Sequence, residues 1–197
     1  MPSLEKIKQV SRALATVALV FLVYHANAQQ PGAERLAICA ACHGPQGNSQ
    51  ISMNPSLAGQ PRVFIENQLV LIREGLRDIP QMKGLLDDVK DFEIVQLANY
   101  FSAQIPTKTV GTIDGARYQR GQELSRKMLC GTCHLPDYAG RQQIPRLAGQ
   151  QEGFLLYAMK QFRDHSGPGR DTIMSASLYG LKDNELEDLS HFLTNFK

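Results

Sequence analysis

The sequence has little that would indicate a membrane-spanning, nucleic-acid-binding or sheet-forming protein. Of its 197 residues none is tryptophan, 7% are aromatic, and 21 lysines and arginines nearly balance 19 aspartates and glutamates. No apolar run reaches the ~18–20 residues of a membrane-spanning helix, which excludes a polytopic membrane protein. The small net charge argues against nucleic-acid binding, because such proteins carry a basic excess on one face. Alternating apolar runs and Asn-Gly hairpin signals, which would predict a sheet, are also missing.

Cysteine is scarce, but its arrangement is informative. The four cysteines form two C-x-x-C pairs, and a histidine follows each pair at once: Cys39, Cys42 and His43, then Cys130, Cys133 and His134.

Residues 1–28 have the three parts of a secretory signal peptide. A basic start precedes a largely apolar stretch from Ala13 to Tyr24, and Ala26-Asn27-Ala28 supplies the small residues of a cleavage site. We therefore expect export and cleavage after Ala28, which would leave 169 residues with 18 basic and 18 acidic side chains. The alternative is an uncleaved N-terminus that anchors the chain at a membrane.

The remainder of the chain contains the same pattern twice. The C-x-x-C-H motif recurs after 91 residues and the segment P-x-L-A-G-Q, which begins at Pro55 and Pro145, after 90 residues. Further landmarks follow in the same order, so the repeat predicts two copies of one domain. We place the domains at residues 29–105 and 116–197, with a Pro-, Gly- and Thr-containing linker at residues 106–115.

Each copy is predicted to be helical. The apolar residues after Asp91 and after Asp183 are spaced for one face of a helix, and both segments begin with acidic side chains that suit a helix N-terminus. Residues 64–73 and 154–163 have a similar spacing, and a helix is expected to run into each C-x-x-C-H motif. Three or four short helices in about 80 residues bury little surface by themselves, so each domain needs an internal filler.

The C-x-x-C-H motif is the attachment signature of c-type haem. Two thiols three positions apart can each add to one haem vinyl group, and the adjacent histidine then directs an imidazole nitrogen at the iron. Three other uses of cysteine fit less well. A zinc site needs its pairs ~15–20 residues apart, a thioredoxin-like pair needs a βαβ unit, and a three-residue disulfide loop would staple very little chain. None of them accounts for the histidine.

A low-spin electron-transfer haem needs a second axial ligand. Met82 and Met174 lie 39 and 40 residues after His43 and His134, each in a predicted loop between helices. The other methionines have no partner in the second copy and are expected to pack in the interior: Met53, Met128 and Met159. His165 is a weaker alternative to Met174, His25 leaves with the signal, and His191 is expected to face solvent.

Pro55 and Pro145 stand at matching positions behind the two histidines. The functional interpretation is that each proline carbonyl accepts the N–H of its axial histidine, a contact that tunes the basicity of the ligand. A proline would also break the chain before the next helix, and the two interpretations are compatible.

These motifs resemble those of tandem class I cytochromes c, most closely the dihaem cytochrome c4 type, over nearly all of residues 29–197. The resemblance implies an all-α protein whose two domains are related by pseudo-twofold symmetry, with the propionates of two haem c groups facing each other between them. It also implies thioether bonds at the four cysteines and iron ligands at His43, Met82, His134 and Met174. No residue of the interface between the domains is predicted.

Two six-coordinate irons would leave no open position for a substrate, so the resemblance implies an electron carrier rather than an enzyme. The expected setting is the periplasm, with a respiratory donor complex and a terminal oxidase as redox partners and no nucleic acid. A monomer or weak dimer is expected, and loose association with the membrane surface remains open. One alternative is the electron-acceptor subunit of a periplasmic flavin-dependent dehydrogenase, such as one oxidising sulfide. A dihaem peroxidase fits less well, because both copies retain the methionine.

Overall fold

The computed structural model of the chain describes residues 31–107, 112–164 and 169–196. We call residues 31–107 the first half and residues 112–196 the second half. The proposed signal peptide and part of the proposed linker lie outside the described residues. No strand forms in the described ranges; one isolated bridge joins Arg141 and Ile144. The all-α prediction is therefore confirmed.

The first half contains three α-helices, and the second contains five. They are α1 Ala33–His43, α2 Arg62–Arg73 and α3 Asp91–Ser102, followed by α4 Gly115–Lys127, α5 Cys130–His134, α6 Glu152–Asp164, α7 Thr172–Leu178 and α8 Asp183–Thr194. Two 3₁₀ turns, Pro45–Gly47 and Pro80–Met82, interrupt the loops of the first half. None of the helices in the described ranges combines the length and apolarity that crossing a membrane requires.

The last helix of each half begins in the same way. The backbone N–H of Lys90 donates to the Glu93 carboxylate at 2.9 Å, and the N–H of Lys182 donates to Glu185 at 2.8 Å. Each bond satisfies a backbone donor that would otherwise have no partner at the helix start. The two helices therefore begin at Asp91 and Asp183, as the acidic residues predicted.

Each half has its own hydrophobic core. The buried face of α3 consists of the four predicted residues Ile94, Leu97, Ala98 and Phe101. The core of the second half is built around Leu186, Leu189, Phe192 and Leu193 of α8. Both cores continue onto α2 or α6 of the same half through Ile65 or Leu155 and Met159.

The two cysteine motifs are carried differently. Cys39, Cys42 and His43 form the end of α1, as predicted. In the second half the expected continuous helix is wrong, because α4 ends at Lys127 and Leu129 has a φ of 57°. A left-handed residue cannot continue the i to i−4 hydrogen bonds of an α-helix, so a new short helix starts at Cys130.

Candidate haem sites

The four thiols occupy equivalent positions in the two halves. All are free. The first cysteine of each pair, Cys39 or Cys130, is partly buried against the core of its half, and the second, Cys42 or Cys133, is exposed. Burial raises the pKa of Cys39 and Cys130, since it disfavours the thiolate. Because residues three apart in a helix share a face, each pair presents two reactive groups side by side.

The two histidines are held neutral with a defined tautomer. His43 and His134 are 9% and 7% exposed, and Nδ1 of each lies 2.8 or 2.9 Å from the carbonyl oxygen of Pro55 or Pro145. A carbonyl can only accept, so Nδ1 carries the proton and Nε2 keeps its lone pair. Burial lowers the pKa of both imidazoles, with the proline carbonyls acting in the opposite direction. The predicted contact with proline is thus present in both halves.

The two candidate methionines differ in backbone setting. Met82 ends a 3₁₀ turn in the loop between α2 and α3 and packs against the core of the first half. Met174 also packs against the core of its half, but it lies inside α7, so its predicted loop position is wrong. The reason is Asp171, whose carboxylate accepts the backbone N–H of Met174 at 2.9 Å and caps the helix.

The remaining methionines divide between interior and surface. Met159 is 6% exposed and belongs to the second core, as expected. Met128 is partly buried directly after α4. Met53, expected to be interior, is 54% exposed. It lies at the junction of the halves, since a β-carbon on Gly153 would come within 3.1 Å of its sulfur.

The expected solvent position of His191 is wrong. Its side chain is 4% exposed, Nε2 accepts the backbone N–H of Asp114 at 3.0 Å, and Nδ1 donates to Glu152 at 3.0 Å. The segment before α4 and the start of α6 therefore cover it. The imidazole is a structural link between three elements. His25 and His165 lie outside the described residues.

Three arginines supply positive charge where the halves meet. Arg146 is 7% exposed, its Nε has no hydrogen-bond partner among the described residues, and burial lowers its pKa to about 10. The pKa of Arg77 is lowered by burial and by the nearby charge of Arg170. In the described ranges no carboxylate oxygen lies within 4.0 Å of any of these three guanidinium groups.

The residues present fit two covalently bound haem groups. The donor set in each half is a pair of free thiols, a neutral imidazole with an available Nε2, and a thioether. Buried arginines without carboxylate partners suit an anionic group such as a haem propionate. A shared zinc site does not fit, because nowhere in the described ranges do three or more His, Cys, Asp or Glu side chains cluster as a metal site requires.

Two glutamines that the sequence interpretation missed join the halves. Gln60 and Gln150, the last residues of the repeated P-x-L-A-G-Q segments, are 4% and 2% exposed, and each side chain binds the backbone of the opposite half. The signal that could have identified them is the repeat itself. A polar residue that ends the same buried segment twice has to satisfy its amide somewhere.

Comparisons with known proteins agree with this geometry. The family model for cytochrome c matches residues 118–197. Cytochrome c4 of Azotobacter vinelandii is 30% identical over 206 residues, which cover 94% of this chain and 97% of that protein. The thiosulfate dehydrogenase electron acceptor of Thiomonas intermedia is 29% identical over 169 residues, covering 80% of this chain and 78% of the relative.

A solved structure has the same fold. The crystal structure of reduced recombinant cytochrome c4 from Pseudomonas stutzeri superimposes with a TM-score of 0.77 at 30% identity. The match covers 85% of this chain and 100% of the other.

Proposed function

The chain belongs to the dihaem cytochrome c4 family, and from this premise we propose that it is a periplasmic electron carrier with one haem bound in each half. It is an electron-transfer cytochrome with covalently bound haem c, and not an enzyme. The observation that carries the proposal is the matched pair of histidine–proline hydrogen bonds, which prepares an imidazole nitrogen directly behind each pair of thiols.

The proposed roles follow the repeat. Thioether bonds form at Cys39, Cys42, Cys130 and Cys133, and the axial ligands are His43 with Met82 and His134 with Met174. The proposed domains are residues 29–105 and 116–197, joined by the linker at residues 106–115. Two separate cores support this division, since each half packs around its own last helix.

When bound, haem c supplies an iron that cycles between the ferric and ferrous states. The chain's residues provide the surroundings. Pro55 and Pro145 hold each imidazole in one tautomer and one orientation, so that Nε2 needs no rearrangement to act as a ligand. The packed cores exclude water and keep the thioethers of Met82 and Met174 in place. A thioether favours the reduced iron and raises the potential relative to a second histidine.

The redox partners are proteins, and we propose a respiratory donor complex and a terminal oxidase. The balanced charge of the mature chain supports weak, transient docking rather than strong electrostatic steering. We also propose export through residues 1–28, a monomeric or weakly dimeric state, and at most a peripheral contact with the membrane.

A second candidate role is that of a dedicated electron acceptor for a periplasmic sulfur-compound dehydrogenase. The observation that favours it is the similarity to the Thiomonas intermedia protein, whose name states such a role. Co-purification with a dehydrogenase from the native host, and reduction by that enzyme, would favour this role over a free carrier. A peroxidase is not supported, since each half has its own methionine packed against its core.

The proposal is tested by counting haems and redox centres. Pyridine haemochrome analysis of the exported protein is expected to give two covalently bound haems per chain, and an optical redox titration two one-electron centres. Replacing Cys130 and Cys133 by alanine is expected to remove one haem, and replacing Cys39 and Cys42 the other. A single haem in the unmutated protein, haem that acid acetone extracts, or rapid reduction of peroxide would contradict the proposal.

A further inference from the structure

The junction between the halves contains a reciprocal pair of amide contacts. Gln150 Oε1 accepts the backbone N–H of Ser56 at 2.7 Å, and its Nε2 donates to the carbonyl of Ser56 at 2.9 Å. Gln60 does the same with Arg146 of the second half, at 2.9 and 3.0 Å. All four residues are buried. Each glutamine thus grips one residue of the opposite half at both of its backbone polar groups.

Each gripped residue directly follows the proline that binds a histidine. The peptide group between Pro55 and Ser56 accepts from His43 Nδ1 through its carbonyl oxygen, and its N–H donates to Gln150. The equivalent group between Pro145 and Arg146 binds His134 on one side and Gln60 on the other. Because a peptide group is planar, a bond that holds its N–H also sets the direction of its carbonyl oxygen. A single rigid unit therefore connects each histidine to the other half.

The same chain of bonds affects the strength of the histidine contact. A peptide whose N–H donates a hydrogen bond is polarised, and its carbonyl becomes a better acceptor. A better acceptor at Nδ1 makes the imidazole a more basic ligand, and a more basic ligand stabilises ferric iron. Loss of the glutamine amide weakens this effect, so it raises the reduction potential of the iron bound by that histidine.

We propose that Gln60 and Gln150 are positioning residues that act across the junction, Gln60 on His134 and Gln150 on His43. Each half thereby sets the ligand strength of the histidine in the other half, so the two reduction potentials depend on how the halves are docked. This inference rests on the proposed function, because it requires both histidines to bind iron.

The test is an optical redox titration of Gln60→Leu and Gln150→Leu in the full-length haem-loaded protein. Each variant is expected to shift one of the two potentials upward, a different one in each variant, and the double variant to shift both. Gln151→Leu is the matched control. Its amide is also buried and donates across the junction, to the carbonyl of Ser49 at 2.6 Å, but that carbonyl does not bind a histidine.

The outcomes separate positioning from general loosening. If Gln60→Leu and Gln150→Leu leave both potentials unchanged, or if they move the same potential, the inference is wrong. It is also wrong if Gln151→Leu produces an equal shift. An unmutated protein without two one-electron centres would instead refute the proposed function.

A measurement on the unmutated protein covers the case in which a variant does not fold. In the reduced, isotope-labelled protein, a scalar coupling across the hydrogen bond is expected between the Ser56 amide nitrogen and the Gln150 side-chain carbonyl carbon. The Arg146 nitrogen and Gln60 should show the equivalent coupling. Both amides are expected to exchange slowly with solvent. Rapid exchange at both positions, with no coupling, would overturn the inference.

Discussion

Gly121 of α4 lies against the backbone of α8, such that a β-carbon on it would come within 2.1 Å of the carbonyl oxygen of Asp188. The same carbon would lie 2.7 Å from Cβ of Phe192, a residue of the second core. The two helices can approach this closely only because residue 121 has no side chain.

Gly121→Ala is therefore expected to force α4 and α8 apart and to lower the free energy of unfolding by ~1–3 kcal/mol, the usual cost of overpacking. The measurement is denaturant unfolding of the haem-bound protein. Gly115→Ala, in the first turn of the same helix, is the control, because a β-carbon there meets nothing within 4 Å. Its expected effect is within about 0.5 kcal/mol. Equal losses in both variants would contradict this account of the crossing.

His191→Ala is expected to leave two partly buried groups without a partner, the N–H of Asp114 and the carboxylate of Glu152. Unsatisfied polar groups of this kind cost ~1–3 kcal/mol, so a loss of that size is expected in the same unfolding measurement. Asn99 occupies the matching position on α3 and is exposed. Asn99→Ala should therefore change stability by no more than about 0.5 kcal/mol, and a comparable loss there would contradict the assignment.

Met82→Leu and Met174→Leu are each expected to remove the near-infrared band that arises from methionine sulfur bound to ferric iron in one half only. The intensity of the oxidised protein's band should fall to about half in either variant, since each half contributes one ligand. Met159→Leu, a core substitution of similar volume, should leave the band intact. A band that survives at full intensity in both single variants would show that the ligands are wrongly assigned.

Asp183 is expected to contribute a pH-dependent part of the stability. Its carboxylate pairs with Lys160 at 2.7 Å and Arg163 at 2.8 Å, and the hydrogen bonds from these cations hold the pKa of Asp183 below its ordinary value of about 3.9. The unfolded chain binds this proton at higher pH than the folded protein does. The stabilisation is therefore present above the ordinary pKa and disappears as the pH falls through the folded pKa.

Asp183→Asn should accordingly lower the denaturant midpoint at neutral pH, and the difference from the unmutated protein should shrink as the pH approaches 2. Glu123→Gln is the control, because Glu123 is exposed and forms no ion pair within the described residues. A difference for Asp183→Asn that stays constant between neutral and acidic pH would contradict the role of this ion pair.

Much of the fold and of the candidate site was predictable because the information is local. Helical spacing identified the four buried residues of α3 and the acidic starts of α3 and α8. The C-x-x-C-H motif and the proline 11 or 12 residues later were enough to predict the contacts of His43 and His134. The proposed ligands Met82 and Met174 rest on the same repeat and stay predictions.

The errors occurred where one copy differs from the other in its surroundings. His191 and Asn99 have the same position on equivalent helices, yet only His191 is covered by the start of α4 and by Glu152. Met174 lies in a helix because Asp171 caps it, whereas Met82 lies in a 3₁₀ turn. A repeat predicts that two positions are equivalent, but it does not predict what packs on them.

The sequence by itself determined the helical content, the duplication and the two groups of residues that can hold haem, because periodicity and motif spacing act over a few turns of chain. Only the tertiary structure decided how the halves meet. Gln60 and Gln150 are 90 residues apart, and their buried amides find backbone partners 86 and 94 residues away. Such contacts exist only once both halves have folded and docked, since neither half alone has the complementary peptide group.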